Sequence, residues 1–162
     1  PTRLQLSKPV IAAIEGWCVA GGVELAAWCD LRVAGSSARI GCLERRWGVP
    51  LIDGGTYRLP QIVGLGRALD LILTGREIGA EEAERIGFLT RVVPDGSALS
   101  SAIELAVEIA SFPWRGVVND RLSVYAGLGL ELTDALRVEE ELGRDTIFAE
   151  GFAEGVDRFN NR

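Results

Sequence analysis

The fold of this chain is decided by the stretch Ala20-Gly21-Gly22-Val23-Glu24-Leu25-Ala26 and the residues on either side of it. Before it, Lys8-Pro9-Val10-Ile11-Ala12-Ala13-Ile14 is a compact apolar run with β-branched residues, which is typical of a short strand buried on both faces. Glu15-Gly16 ends this strand. After the two glycines, the segment 23–29 is rich in good helix formers. The pattern predicts a strand, a sharp diglycine bend and a helix.

The segments that follow continue an alternation of strands and helices. We predict strands over 31–34, 39–41 and 89–93, and helical segments over 43–47, 56–63, 67–73 and 80–86. This alternation predicts an α/β layer arrangement for residues 1–96. From Ser97 onward apolar residues recur at helical spacing, and further helices are expected over 117–126, 131–148 and 151–159. We expect residues 97–162 to form an all-helical region that folds against the α/β part or against another subunit.

Length and composition exclude several classes of protein. The 162 residues are enough for one domain with a sizeable core and too few for two independent ones. A net charge of −6 argues against a protein whose main task is to bind nucleic-acid phosphates. No uncharged apolar run approaches the roughly 20 residues that a membrane-spanning helix needs. Because the chain begins with Pro1 and contains no Met, we expect a fragment or a processed product.

The chain contains no histidine, which restricts its chemistry sharply. Ser-His-Asp and Cys-His catalysis, imidazole metal sites and histidine proton shuttles are all excluded, and we expect no metal site. Three cysteines (Cys18, Cys29 and Cys42) are an odd number without C-x-x-C spacing, which favours buried, reduced thiols in a cytoplasmic protein. We see no secretion signal at the start of the chain.

The diglycine bend allows two interpretations. Gly21 and Gly22 let the backbone turn sharply, and their N–H groups lie at a helix start, where unpaired donors and the helix dipole favour a negative atom. The alternative is a tight turn that only packs strand on helix. The motif is not G-x-G-x-x-G, so a dinucleotide site is not expected.

Three acidic residues are candidates for chemistry. Glu24, in the first turn of a helix whose neighbouring positions are apolar, either reaches solvent or faces a pocket that would favour proton transfer. Glu44 either forms a surface ion pair with the adjacent arginines or contributes to a site. Asp53, before two glycines, is typical of a turn residue. We expect the tryptophans at 17, 28 and 47 to fill the core.

These residues together resemble a known family. The segments 8–16, 20–26 and Cys29-Asp30 are similar to the signature of the enoyl-CoA hydratase/isomerase (crotonase) superfamily. The similarity continues through Gly41-Cys42-Leu43-Glu44, Gly54-Gly55-Thr56 with Arg58-Leu59, Leu73-Thr74-Gly75-Arg76, 80–87 and Glu150-Gly151, in family order and spacing over essentially the whole chain.

The resemblance implies a fold and a substrate. The fold is a crotonase-like ββα superhelix, here its C-terminal portion, followed by an all-helical region that builds homotrimers, commonly paired into hexamers. The substrate is a coenzyme A thioester, with no further cofactor. The thioester carbonyl would bind in an oxyanion hole of two backbone N–H groups, one of them at Gly21, with Ala20 and Gly22 also in the substrate-binding turn.

The resemblance also implies a reaction. Hydratases of the family carry two glutamates, which fall on Glu24 and Glu44. We predict that these hold one water, that one activates it for attack at C3 of a 2-enoyl thioester, and that the other, Glu44 in our interpretation, supplies the proton at C2. The chain would then be an enoyl-CoA hydratase, a lyase of fatty acid metabolism (β-oxidation).

Departures from the family pattern keep alternatives open. Asp53 falls where the dienoyl-CoA isomerase branch has a functional aspartate, so it is an additional acid candidate and double-bond isomerisation is the alternative reaction. Arg45-Arg46-Trp47 replaces an apolar stretch and would reshape the acyl pocket. Ala20 stands where the family often has Gly, which is tolerable if φ there is not positive. The family's part before Lys8 is missing, so a non-catalytic assembly module is a third interpretation.

Overall fold

The computed structural model describes residues 1–149 and 151–161, so Glu150 of the family motif lies outside the described residues. Its contacts divide the chain into two compact units, one of residues 1–6 and 10–105 and the other of 7–9 and 106–162. The strands are β1 Ile11–Ile14, β2 Trp17–Val19, β3 Leu31–Gly35, β4 Arg39–Gly41, β5 Glu77–Gly79 and β6 Arg91–Val93. The helices are α1 Gly21–Trp28, α2 Gly55–Val63, α3 Leu65–Thr74, α4 Ala80–Arg85, α5 Ala98–Ala110, α6 Trp114–Gly127, α7 Leu132–Ile147 and α8 Phe152–Asn160, with a 3₁₀ helix at Leu43–Trp47.

Two three-stranded sheets form the framework of the first unit. One has the strand order β1-β3-β6 and is parallel, with Ile11 opposite Leu31. The other has the order β2-β4-β5, in which β2 and β4 are parallel and β4 and β5 antiparallel. The Ala20 amide donates to Gly41 O at 3.2 Å just beyond the β2-β4 pairing. The start of α1 is thereby fixed beside the end of β4, where the 3₁₀ helix begins.

The apolar core of this unit lies around α1, β3 and β4. Its largest fully buried side chains are Phe88, Ile40, Leu59, Ile78, Val23, Val33 and Cys42. Buried Arg32 donates to the carbonyl oxygens of Cys29 (2.6 Å), Ala26 (3.2 Å) and Phe88. Since the last carbonyls of a helix have no intrahelical donor, Arg32 stabilises the carboxyl end of α1 from inside the core.

In the second unit, α6 packs against α7. Buried Asn119 of α6 donates its side-chain amide to Asp145 Oδ2 at 2.8 Å and lies within hydrogen-bond distance of Leu142 O and Thr146 Oγ1. Asp145 also pairs with Arg115 at 2.6 Å. These polar contacts fix the register of α6 against α7. Many of the exposed residues on the two helices are apolar.

The structure confirms the predicted helices and strands, adds two short strands, and corrects the expected burial of two tryptophans. β2 and β5, three residues each, are not among the predicted strands. Trp17 and Trp47 are 64% and 81% exposed, so their assignment to the core is wrong. Within the described ranges, no helix is long and apolar enough to cross a membrane, and no cluster of three or more potential ligand side chains is arranged to hold a metal ion.

Candidate active site

Glu24 is buried and held by backbone amides. It is the fourth residue of α1 and is 3% exposed. Its Oε1 accepts hydrogen bonds from the amides of Asp53 at 2.9 Å and Gly55 at 2.8 Å. A Cβ at position 55 would lie 3.0 Å from both Cγ and Oε1 of Glu24, so glycine at 55 allows this close approach. The alternative in which Glu24 reaches solvent is therefore wrong.

The turn that presents these amides depends on Gly54 and Arg58. Gly54 has φ +98°, a conformation that residues with a Cβ rarely adopt. A Cβ at this position would also collide with the Arg58 guanidinium. That guanidinium donates to Asp53 O at 3.0 Å and to Thr2 O at 2.7 Å. These contacts were not predicted from the sequence. The feature of the sequence that indicates them is an arginine one helical turn after Gly54.

Glu44 is also buried, and its surroundings differ from those of Glu24. It lies in the 3₁₀ helix and is 7% exposed. Both of its carboxylate oxygens are buried, and neither finds a hydrogen-bond donor in the described part of the chain. The surface ion pair considered for it is therefore wrong, and the neighbouring Arg46 instead donates to Gly75 O at 2.8 Å. Because an unpartnered buried polar group is costly, Glu44 is suited to bind a polar ligand atom.

Cys42 connects the two glutamates electrostatically. Burial raises the pKa of its thiol, and the negative charges of Glu44 and Glu24 raise it further, to about 12, while Arg45 opposes them. A charge influences a neighbouring group strongly only at short range. Both carboxylates thus raise the pKa of the Cys42 thiol, and the joint role of Glu24 and Glu44 in catalysis stays a prediction.

The diglycine bend lies at the start of α1. Gly21 and Gly22 are exposed, and nothing lies within 4 Å of the place where either would carry a Cβ. Ala20 O accepts the amides of Val23 and Glu24, which leaves those of Gly21 and Gly22 without an acceptor among the described residues. Ala20 has φ 51° and ψ −127°, so the condition under which alanine would be tolerated there, a φ that is not positive, is not met.

The Asp53 amide contacts Glu24, whereas the Asp53 carboxylate contacts residues at the start of the chain. Its Oδ1 contacts Thr2 Oγ1 at 3.3 Å and Arg3 Nη1 at 3.2 Å, and the side chain is partly exposed. Its amide binds Glu24. The role of Asp53 as an additional acid stays a prediction, and so do the catalytic and substrate-binding roles of the other residues named above.

The remaining cysteines are buried and free. Burial raises the pKa of Cys18 to about 11, with a smaller contribution from the negative charge of Cys29. Burial likewise raises the pKa of Cys29. Raised thiol pKa values and the lack of a histidine make these cysteines poor nucleophiles at neutral pH.

The sequence and the fold of this chain are similar to those of known proteins. A probable enoyl-CoA hydratase of Rhizobium meliloti (strain 1021) is 40% identical over 152 residues, which are 94% of this chain and 59% of that protein. A short-chain-enoyl-CoA hydratase of Clostridium acetobutylicum is 40% identical over 140 residues, 86% of this chain and 54% of that protein. The crystal structure of an enoyl-CoA hydratase from Bacillus anthracis is 38% identical with a TM-score of 0.92, covering 97% of this chain and 61% of that one.

This chain spans less than two thirds of the length of each of these proteins. The enoyl-CoA hydratase/isomerase family model matches residues 2–162. The α/β arrangement is the crotonase fold of the solved structures, as the resemblance implied. The chain belongs to the enoyl-CoA hydratase/isomerase family.

Proposed function

We propose that this chain is the catalytic part of an enoyl-CoA hydratase, which adds water to a 2-enoyl-CoA thioester and gives a 3-hydroxyacyl-CoA. One observation carries the proposal: two glutamates from separate elements are both buried, Glu24 on the amides of Asp53 and Gly55, and Glu44 with neither oxygen bonded to a donor in the described part of the chain. A pair of carboxyl groups is what the addition of water needs, because one proton must leave the water while another reaches carbon. The names of the relatives support this substrate class.

In the proposed mechanism the two glutamates hold one water. Glu24 takes a proton from it as the water oxygen bonds to C3, and Glu44 gives a proton to C2, so that the double bond becomes a C3–O and a C2–H bond. Transfer of a proton from Glu24 to Glu44 restores both groups. The amides on Glu24 Oε1 fix the orientation of that carboxyl group. Glu44, without a donor from the described chain, has both oxygens available.

The amide of Gly21 would stabilise the negative charge that develops on the thioester oxygen. It lies at the start of α1, where the helix dipole favours an anion. Because this donor belongs to the backbone and is fixed in place, it needs no rearrangement as the charge develops. The resemblance implies a second donor from the family's N-terminal part.

Glu24→Gln and Glu44→Gln test the mechanism. Each should lower kcat by about 100-fold or more, since general acid–base catalysis contributes about 10²–10⁴-fold. The measurement is the loss of enoyl-thioester absorbance, with Glu104→Gln, an exposed residue of α5, as the matched control. Wild-type turnover in either site variant would remove that carboxyl group from the mechanism, and a wild-type chain that neither hydrates nor isomerises the thioester would contradict the proposal.

Two further measurements separate the alternative functions. A product with a shifted double bond and no oxygen from ¹⁸O-labelled water would identify an isomerase. Binding of coenzyme A in calorimetry without turnover would identify a non-catalytic module.

The same proposal implies a metabolic role, a location in the cell and an oligomeric state. We place the protein among the lyases of fatty acid β-oxidation, with coenzyme A as part of the substrate and no further cofactor. We also propose a cytoplasmic location, which the three free cysteines support. A homotrimer or a dimer of trimers is supported by exposed apolar residues on the helices of the second unit, among them Leu122, Tyr125, Leu132 and Leu136.

A further inference from the structure

The orientation of Glu24 depends on the turn that leads into α2. The Asp53 and Gly55 amides both donate to the same oxygen, Oε1, at 2.9 and 2.8 Å. Two donors on one oxygen fix the plane of the carboxyl group and leave Oε2 for other partners. A change in this turn would therefore move the carboxyl group with it.

The Arg58 side chain contacts the same turn through its guanidinium group. Its Nη1 donates to the Asp53 carbonyl at 3.0 Å, in the residue whose amide binds Glu24. Its Nη2 donates to Thr2 O at 2.7 Å, which ties the turn to the buried residue Thr2. The Arg58 amide also donates to Gly54 O at 2.9 Å. The guanidinium occupies the space that a Cβ on Gly54 would need.

We propose that Arg58 is a positioning residue for Glu24, acting through the Asp53-Gly54-Gly55 turn. The planar guanidinium binds two carbonyl oxygens at once, in directions that its fork of donors fixes. A lysine ammonium is a point charge and cannot hold both carbonyls in the same fixed geometry. The kinetic part of this inference rests on the proposed function, whereas its structural part does not.

The structural part is tested by amide hydrogen exchange on the whole chain. Arg58→Met should lower the protection of the Asp53 and Gly55 amides by about tenfold or more, the loss expected for weakening one hydrogen bond. Arg67→Met, at an exposed arginine of α3, is the matched control and should change protection less than about twofold. Unchanged protection of both amides in Arg58→Met overturns the inference. Arg58→Lys, a milder change, serves where the methionine variant does not fold.

The kinetic part is a double-mutant cycle with Glu24. Arg58→Met should lower kcat by about 10- to 100-fold with KM within about twofold, because a small displacement of a catalytic group costs this much. In the Glu24→Gln background the same change should cost less than about twofold. An equal loss in both backgrounds would show a general structural role and overturn the inference. If the wild-type chain has no hydratase activity, the proposed function fails and the exchange experiment still decides about Arg58.

Discussion

Among the described residues, Ala20 is the only one other than glycine with a positive φ. Its conformation, φ 51° and ψ −127°, brings the Cβ close to the backbone and costs about 1–3 kcal/mol. The hydrogen bonds from Ala20 N to Gly41 O and from Val23 N to Ala20 O hold this strained conformation in place. The strain therefore lies directly before the Gly21 amide that the proposed mechanism uses.

Replacing Ala20 by glycine should remove this strain. We expect Ala20→Gly to raise the free energy of unfolding by about 1 kcal/mol, because glycine adopts positive φ without a steric cost. Urea denaturation at neutral pH measures the change. Ala106→Gly, at an exposed position inside α5, is the matched control and should lower the free energy of unfolding by about 1 kcal/mol. Destabilisation by both changes would contradict the assigned strain.

The surroundings of Glu24 show what local sequence could and could not predict. An acidic residue in an apolar first turn pointed to a pocket or to solvent, and the choice between them was open. The deciding donors are the amides of Asp53 and Gly55, which are 29 and 31 residues away in the chain. A pattern within one helix carries no information about contacts of this range, so the two amides that bind Glu24 could not be predicted from it.

At the scale of elements, a carboxylate from another part of the first unit accepts a hydrogen bond from the first amide of α5. Glu15, which follows β1, accepts the Ala98 amide through Oε1 at 2.9 Å. The first amides of a helix lack intrahelical acceptors, so this contact replaces a local N-cap. Gly35 of β3 leaves the necessary space, because a Cβ there would lie close to the Glu15 carboxylate.

Removing this carboxylate should weaken the start of α5. We expect Glu15→Ala to lower the free energy of unfolding by about 1 kcal/mol, the usual effect of losing a helix cap. Amide hydrogen exchange should locate the loss in the first turn of α5. Glu104→Ala, exposed further along the same helix, should change stability by less than about 0.5 kcal/mol. Equal effects of the two substitutions would contradict the capping role.

Element length explains only in part which strands the sequence predicted, because β4 and β6 were predicted although they have three residues each. β1 and β3, of four and five residues in parallel pairing, were predicted from their apolar residues, which form a continuous run in β1 and are interrupted only by Arg32 over 31–34. β2 and β5 have three residues each, and their strand character comes from pairing with β4. Three residues do not establish a period, so these strands follow from tertiary pairing rather than from a local pattern.

At the scale of the whole molecule, buried thiols link stability to pH. The folded chain raises the pKa of Cys18 from 9.0 to about 11 and that of Cys42 from 9.0 to about 12, chiefly through burial. A group whose pKa is higher in the folded state stabilises the fold fully below its unfolded pKa. This contribution is lost as the pH rises from about 9 through the pKa values of the two thiols in the folded chain. In this range the unfolded chain releases the protons more readily than the folded chain does.

The free energy of unfolding should therefore fall between pH 7.5 and pH 10 under reducing conditions. At pH 10 the two thiols should together account for about 3 kcal/mol of this fall, since one pKa unit corresponds to about 1.4 kcal/mol. Urea denaturation at both pH values measures it, and comparison with a Cys18→Ala, Cys42→Ala variant separates the contribution of these two thiols from that of all other groups, which are the same in both proteins. A difference in stability between the two proteins at pH 7.5 does not affect the result. Only the change in the free energy of unfolding between the two pH values is compared. A fall of the same size in the variant would contradict the assignment and show that other groups control alkaline stability.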